Sequence, residues 1–360
     1  MTPRTKRRLK LGSVTVAAVV LLGIVVLVAG VVPIAASSGH WAATEWILHF
    51  AMRRSIATSS LGVSAPDGLD DPALVMRGAG HYHQSCEVCH GKPGADMPAV
   101  AAAMMPPPPA LPRRVGELSA EELFTVVKHG VKFTGMPAFP TQDRDDEVWA
   151  VVAFLLALPE LDAAGYAELT EAPSSPAEGG EAARLAARRC GGCHGADGQG
   201  RLDGAFPKLA GQRETYLVQA LAAYANGDRR SGIMGPVATS LSEAERRELA
   251  HYYAGRDPMG GGTGEPSARG KEIVTKGIAD RLVASCEDCH GPSATPKSPT
   301  YPILAGQDRR YLTEQLQLFR DGRRGGGPDV DAMKEVATHE LTDAEVAAVA
   351  AHYASATPPR

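Results

Sequence analysis

The positions Leu11 to Ser38 carry no charge, while the chain beyond them is written in short amphipathic runs. Arg4, Lys6, Arg7, Arg8 and Lys10 come just before that stretch. A bilayer span needs about 20 apolar residues, whereas the apolar region of a cleaved signal is about 7 to 15 long. The run therefore predicts a transmembrane anchor at about 12–36, with its basic flank on the cytoplasmic side and the rest of the chain outside. After it, His40 to Arg54 reads as a short helix with Trp41, Trp46, Ile47 and Phe50 among polar residues. Two placements fit that pattern: the headgroup level of a membrane, or the surface of the first domain that follows.

From residue 66 onward the apolar positions recur with helical spacing, and no convincing strand alternation occurs. The predicted helices are 72–88, 119–129 and 145–158, then 180–192, 213–226 and 243–254, then 267–288, 308–321 and 343–354. Capping boxes open helices at Ser119 with Glu122, Ser242 with Glu245 and Thr342 with Glu345. Gly227, Gly255 and Gly322 sit where helices should stop. The expected class is all-α.

Composition breaks the chain into units. One linker is expected at 161–178, through Ala172-Pro173-Ser174-Ser175-Pro176, and another at 256–266, through Gly260-Gly261-Gly262, both flexible. Domains are thus expected at 66–160, 179–255 and 267–360 behind an N-terminal unit, 1–65. The last two repeat each other. Pro207-Lys208-Leu209-Ala210-Gly211-Gln212 matches Pro302-Ile303-Leu304-Ala305-Gly306-Gln307, Tyr216-Leu217 matches Tyr311-Leu312, and Tyr253 matches Tyr353. With 360 residues, 44% hydrophobic and only 5% aromatic, each domain is near the lower size at which protein alone makes a comfortable core.

The six cysteines change this picture. All fall in three copies of one pattern, Cys86-Glu87-Val88-Cys89-His90, Cys190-Gly191-Gly192-Cys193-His194 and Cys286-Glu287-Asp288-Cys289-His290. Two thiols about one helical turn apart can form thioethers with the two vinyl groups of one porphyrin, and the adjoining histidine offers an imidazole to its iron. Zinc would need four ligands in one cluster, yet the motifs lie about a hundred residues apart. A thioredoxin-like pair would leave the histidine after every motif unexplained. Three covalently bound haems c are expected, each supplying apolar core to its domain.

An N-terminal helix ending in Cys-x-x-Cys-His, followed by a methionine loop and a C-terminal helix, resembles the class I c-type cytochrome fold. The second and third domains resemble the tandem diheme periplasmic cytochromes of the c-four type. The first domain diverges, with Pro106 to Pro109 in place of the Ala-Gly-Gln turn. The resemblance implies three tandem cytochrome domains, His90, His194 and His290 as proximal iron ligands, and methionines as distal ones. Candidates lie 40 to 46 residues after each motif histidine: Met136, Met234 and Met333. Met259 competes for the second haem, while Met97, Met104 and Met105 are expected to be core filler, too near the first motif to reach the far face of its haem. By the same resemblance the carbonyls of Pro207 and Pro302 accept the ring proton of the motif histidine. The pairs Arg229-Arg230 and Arg323-Arg324 are read as solvated charges in preference to partners of haem propionates.

Charge is uneven: residues 66–171 carry 7 basic and 16 acidic side chains, against a chain net of −4. An acidic domain near a membrane can steer a basic redox partner, or simply keep itself soluble. The expected protein is a single-pass, inner-membrane cytochrome with its haem domains in the periplasm. It would pass single electrons between a membrane redox complex and another cytochrome or a terminal oxidase. It is read as a carrier and not an enzyme, with no nucleic-acid partner. The cytochrome subunit of a membrane-bound quinoprotein dehydrogenase for alcohols or sugar acids ranks next, and a haem peroxidase with one open iron ranks third.

Overall fold

A computed structural model describes residues 2–31, 35–171, 180–202, 204–260, 265–291, 298–326 and 330–358. Helix α1, Pro3–Val28, is 26 residues long, about 39 Å at 1.5 Å per residue, and none of it is buried. Its most apolar stretch has a mean hydropathy of 2.8, which suits a membrane span or an N-terminal signal. The basic residues fall inside its first turns because Thr2 caps the helix ahead of them. The helix stops at Val28, short of the expected end, before Gly30 at φ 64°.

Helix α2, Ala42–Ser59, runs longer than the pattern indicated. It packs on α4, Ala120–His129, and from its C-terminal half Arg53 reaches Glu117 at 3.5 Å. Its N-terminal half leaves Trp41, Trp46, Ile47 and Phe50 exposed, with Trp46 and Phe50 stacked at 5.6 Å. The two placements weighed for this helix are thus divided between its halves, domain packing at one end and an uncovered aromatic face at the other.

The first domain pairs α3, Pro72–His81, with α5, Asp145–Ala157. They approach closely at Gly78, where an added Cβ would lie 1.9 Å from the Ala150 carbonyl oxygen. Helix α6, Ala163–Thr170, forms inside the stretch expected as a flexible linker. Asp162 caps it, and Tyr166 enters the core beside Tyr82 and Phe154. The linker residues 172–176 and 261–262 lie outside the described residues.

The second domain is built from α7, Glu181–Arg189, α8, Glu214–Asn226, α9, Met234–Thr239, and α10, Glu243–Ala254. The third has α11, Ala268–Lys276, α12, Arg309–Arg320, and α13, Asp343–Ser355. All three capping boxes form as the sequence indicates, each with both hydrogen bonds in place. Two isolated bridges are the only extended pairings among the described residues, so the fold is all-α.

The helix expected at 267–288 is broken. It ends at Gly277, φ 67°, where Ile278 and Val283 pair as an antiparallel bridge and an added Cβ would lie 2.2 Å from the Val283 carbonyl oxygen. The helix expected at 72–88 likewise gives way to a π-turn over Tyr82–Cys86. In each domain the motif itself occupies a separate one-turn helix: Glu87–His90, Gly191–His194 and Glu287–His290.

Polar contacts tie the three domains together. Arg77 of the first bonds Glu314 of the third at 2.6 Å and the Ala205 carbonyl of the second at 3.2 Å. Buried Arg144 joins Asp146, Glu147 and Glu314, and donates to the Arg230 carbonyl at 2.9 Å. Glu147, also buried, accepts from Ser231 Oγ and the Gly232 N–H, each at 2.6 Å. Burial pushes the Glu147 carboxyl up, to about 7, against the pull of Arg144 and those two donors.

Candidate functional site

Each motif histidine meets a proline carbonyl. His90 Nδ1 is 3.0 Å from Pro109 O, His194 Nδ1 is 2.9 Å from Pro207 O, and His290 Nδ1 is 3.0 Å from Pro302 O. A carbonyl can only accept, so Nδ1 must carry the proton, which leaves the Nε2 lone pair free for a metal. In His194 and His290, burial also holds the ring below its ordinary pKa and hence neutral. In the first domain the proline run supplies through Pro109 what the repeat supplies through Pro207 and Pro302.

The second and third motifs open into one cavity of about 310 Å³. Cys190, His194 and Met234 line it from one side, and Cys286, His290 and Met333 from the other, among largely apolar neighbours. Met234 starts α9, and Met333 starts a π-turn whose Thr338 hydroxyl donates to the Met333 carbonyl at 2.7 Å. Met136 stands apart from this cavity, on a loop in which its carbonyl accepts from Val131 N–H at 3.2 Å. Met259 is buried elsewhere, its sulfur 3.5 Å from Gln307 Nε2. Met104, expected to lie out of reach of the distal side, sits beside the Met136 loop: its Cε is 2.4 Å from where a Cβ on Gly135 would stand.

Desolvation pushes the half-buried thiols of Cys86, Cys190, Cys193 and Cys286 up, to about 12, 12, 11 and 12. Among the described residues no group of three or more His, Cys, Asp or Glu is placed to hold a metal ion by itself.

The arginine pairs correct the sequence reading. Arg229 and Arg324 are buried at 5% and 9% exposure, not solvated, and both line the shared cavity. Arg229 donates to Tyr311 Oη at 3.0 Å and to Gln315 Oε1 at 2.9 Å, and lies over the Tyr224 ring. Arg324 lies over Phe319, with its Nε buried and unbonded. Buried cations call for anions. Two arginines beside an apolar cavity, one with an orphaned donor, fit a porphyrin with its propionates. Their outer neighbours behave differently: Arg230 pairs with Asp143 at 2.9 Å, and Arg323 donates to the Asp143 carbonyl at 3.2 Å.

Three contributions were not legible in the chain. Phe139, three residues after Met136, packs on Gly232, two residues before Met234. Glu147 holds Ser231, whose Oγ in turn accepts from the Met234 N–H at 2.9 Å. Gly80 and Gln84 of the first domain meet Cys193 of the second, Gln84 Nε2 lying 3.9 Å from its sulfur. The first domain thus abuts the second haem motif at both its cysteine and its methionine loop, and only spatial proximity could have revealed it.

Comparison with known proteins follows the same division. The family model described as "Cytochrome C oxidase, cbb3-type, subunit III" matches residues 73–155, and the model described as "Cytochrome c" matches 180–254 and 267–356. The chain is 36% identical over 168 residues to the thiosulfate dehydrogenase electron acceptor of Thiomonas intermedia, covering 46% of this chain and 76% of that one. To the protein of the same name in Stutzerimonas stutzeri it is 32% identical over 209 residues, covering 57% and 92%. To cytochrome c4 of Pseudomonas aeruginosa it is 33% identical over 166 residues, covering 45% and 81%.

Proposed function

Because this chain belongs to the cytochrome c family, we propose that it binds three haems c and carries single electrons along a membrane-attached respiratory chain. Thioethers at Cys86 and Cys89, Cys190 and Cys193, and Cys286 and Cys289 would hold them. His90 with Met136, His194 with Met234, and His290 with Met333 would ligate the irons. When bound, haem c supplies reversible one-electron exchange, and methionine ligation favours a raised reduction potential. The protein's part is to orient and insulate. The proline carbonyls fix the imidazoles, the apolar cavity excludes water, and Arg229 and Arg324 offer cations to propionates.

The observation that carries this reading is the threefold His Nδ1 to proline carbonyl bond, repeated even where the first domain departs from the repeat. We take α1 as a single-pass anchor in a bacterial inner membrane, with domains at 66–160, 179–255 and 267–360 in the periplasm. With histidine and methionine holding each iron, no position would be left for a substrate, and the chain would be a carrier between a membrane redox complex and another cytochrome or terminal oxidase. Its likeness to proteins named as thiosulfate dehydrogenase electron acceptors favours a second reading, in which a thiosulfate dehydrogenase is the donor.

The test is to purify the chain from its own membranes. Denatured protein should retain three haems by mass and pyridine-haemochrome absorbance. Two haems, or zinc by elemental analysis, would refute it. Rapid mixing with a thiosulfate dehydrogenase and its substrate then separates the two donors: prompt haem reduction favours the second reading, and none favours a membrane donor.

A further inference from the structure

The Ala-Gly-Gln turn recurs at 210–212 and 305–307, and its geometry explains each residue type. Ala210 and Ala305 are buried. Gly211 and Gly306 adopt φ 66° and 78°, the left-handed region where a side chain is strained, and donate to the carbonyls of Tyr253 and Tyr353, each at 2.9 Å. The glutamines, both 4% exposed, each accept at Oε1 from the next backbone N–H of their own domain, Arg213 and Asp308, each at 3.0 Å, and also reach across to the other domain. Gln212 Oε1 accepts from the Ile303 N–H at 2.8 Å, and its Nε2 donates to the Ile303 carbonyl at 2.9 Å. Reciprocally, Gln307 Oε1 accepts from the Lys208 N–H at 2.9 Å, and its Nε2 donates to the Lys208 carbonyl at 2.9 Å.

Ile303 N–H belongs to the same peptide group as the Pro302 carbonyl, which receives the His290 ring proton, and Lys208 N–H shares a peptide with the Pro207 carbonyl, which receives that of His194. A peptide whose N–H is bonded becomes a stronger acceptor at its carbonyl, because linked hydrogen bonds polarise one another. We propose that the two glutamines are crossed positioning residues: Gln212 of the second domain orients and polarises the histidine site of the third, and Gln307 of the third does so for the second. This rests on the reading above that His194 and His290 bind iron. A stronger bond at Nδ1 makes the imidazole a better donor at Nε2 and so favours ferric iron. Removing the glutamine should therefore raise the potential of the haem in the opposite domain.

The experiment is a potentiometric titration of the full, haem-loaded chain in detergent, with haem signals resolved by magnetic resonance and assigned by the loss of one signal each in Met234→Ala and Met333→Ala. Gln212→Leu should shift the third haem upward and leave the second in place. Gln307→Leu should do the reverse, and the first haem should stay fixed in both. If either leucine variant does not hold three haems, Gln212→Met and Gln307→Met replace it. They keep the length and bulk of the side chain but make neither bond to the crossed peptide, so they too should move the crossed haem upward. A shift confined to the substituted domain's own haem, or no shift at all, overturns the crossing. If neither methionine substitution removes a single signal, the methionine assignment falls and the haems are assigned by His194→Ala and His290→Ala instead; if those remove no signal either, the histidine reading falls, and the crossing with it.

Discussion

Gly232 offers the sharpest test of how the first domain meets the second. A Cβ there would lie 2.1, 2.6 and 2.8 Å from the Cε1, Cζ and Cδ1 atoms of Phe139. Gly232 has no positive φ, so alanine brings no backbone strain and the cost of Gly232→Ala is steric. Phe139 cannot easily yield, being 6% exposed and tilted against the buried His81 ring at 5.1 Å. Overpacking of this kind costs about 1 to 3 kcal/mol. At roughly 2 to 4 °C per kcal/mol for a unit of this size, thermal unfolding of the detergent-solubilised chain should fall measurably. Since the Gly232 N–H and Ser231 bond Glu147, and Ser231 supports the Met234 N–H, the near-infrared band of the second haem should weaken as well. Phe139→Ala alone should cost about 3 to 5 kcal/mol. In the double variant the new methyl occupies space the ring has left, so the two costs should fall short of additivity by about 0.5 to 3 kcal/mol. Full additivity, or a neutral Gly232→Ala, would show that these loops do not touch.

Three further outcomes are expected. Met136→Ala, Met234→Ala and Met333→Ala should each open one ferrous haem to carbon monoxide and lower its potential, one at a time; native protein that already binds carbon monoxide would favour the peroxidase reading. His81 is held down from 6.5 to about 4 by burial, so its folded site disfavours the proton. The stability it contributes is present above about pH 6.5 and is lost as pH falls toward 4, by about 3 kcal/mol at 1.36 kcal/mol per pKa unit. His81→Leu should flatten unfolding midpoints across that window, and unchanged slopes would count against it. Protease added to spheroplasts should release the haem domains and leave Met1 attached to the membrane-embedded helix. A soluble form beginning near Ser37 would instead identify a cleaved signal.

Local chemistry carried most of what the sequence by itself determined. A capping box is decided within four residues, so Ser119, Ser242 and Thr342 were legible, and a Cys-x-x-Cys-His motif is complete within five. The carbonyls of Pro207 and Pro302 could be named only through the resemblance to class I cytochromes, and Pro109 only once the chain had folded its proline run against His90. The broken helix at Gly277 escaped notice because its cause, the Val283 carbonyl, lies across a turn that helical periodicity does not register. Tertiary structure alone decided the rest. Arg229 and Arg324 read as surface charge until domain docking buried them. Gln212 and Ile303 lie 91 positions apart, and Glu147 and Ser231 lie 84. Nothing in either segment specifies its partner, because these pairings arise from the shapes of whole domains closing on one another, and shape complementarity is not written in any local run of residues.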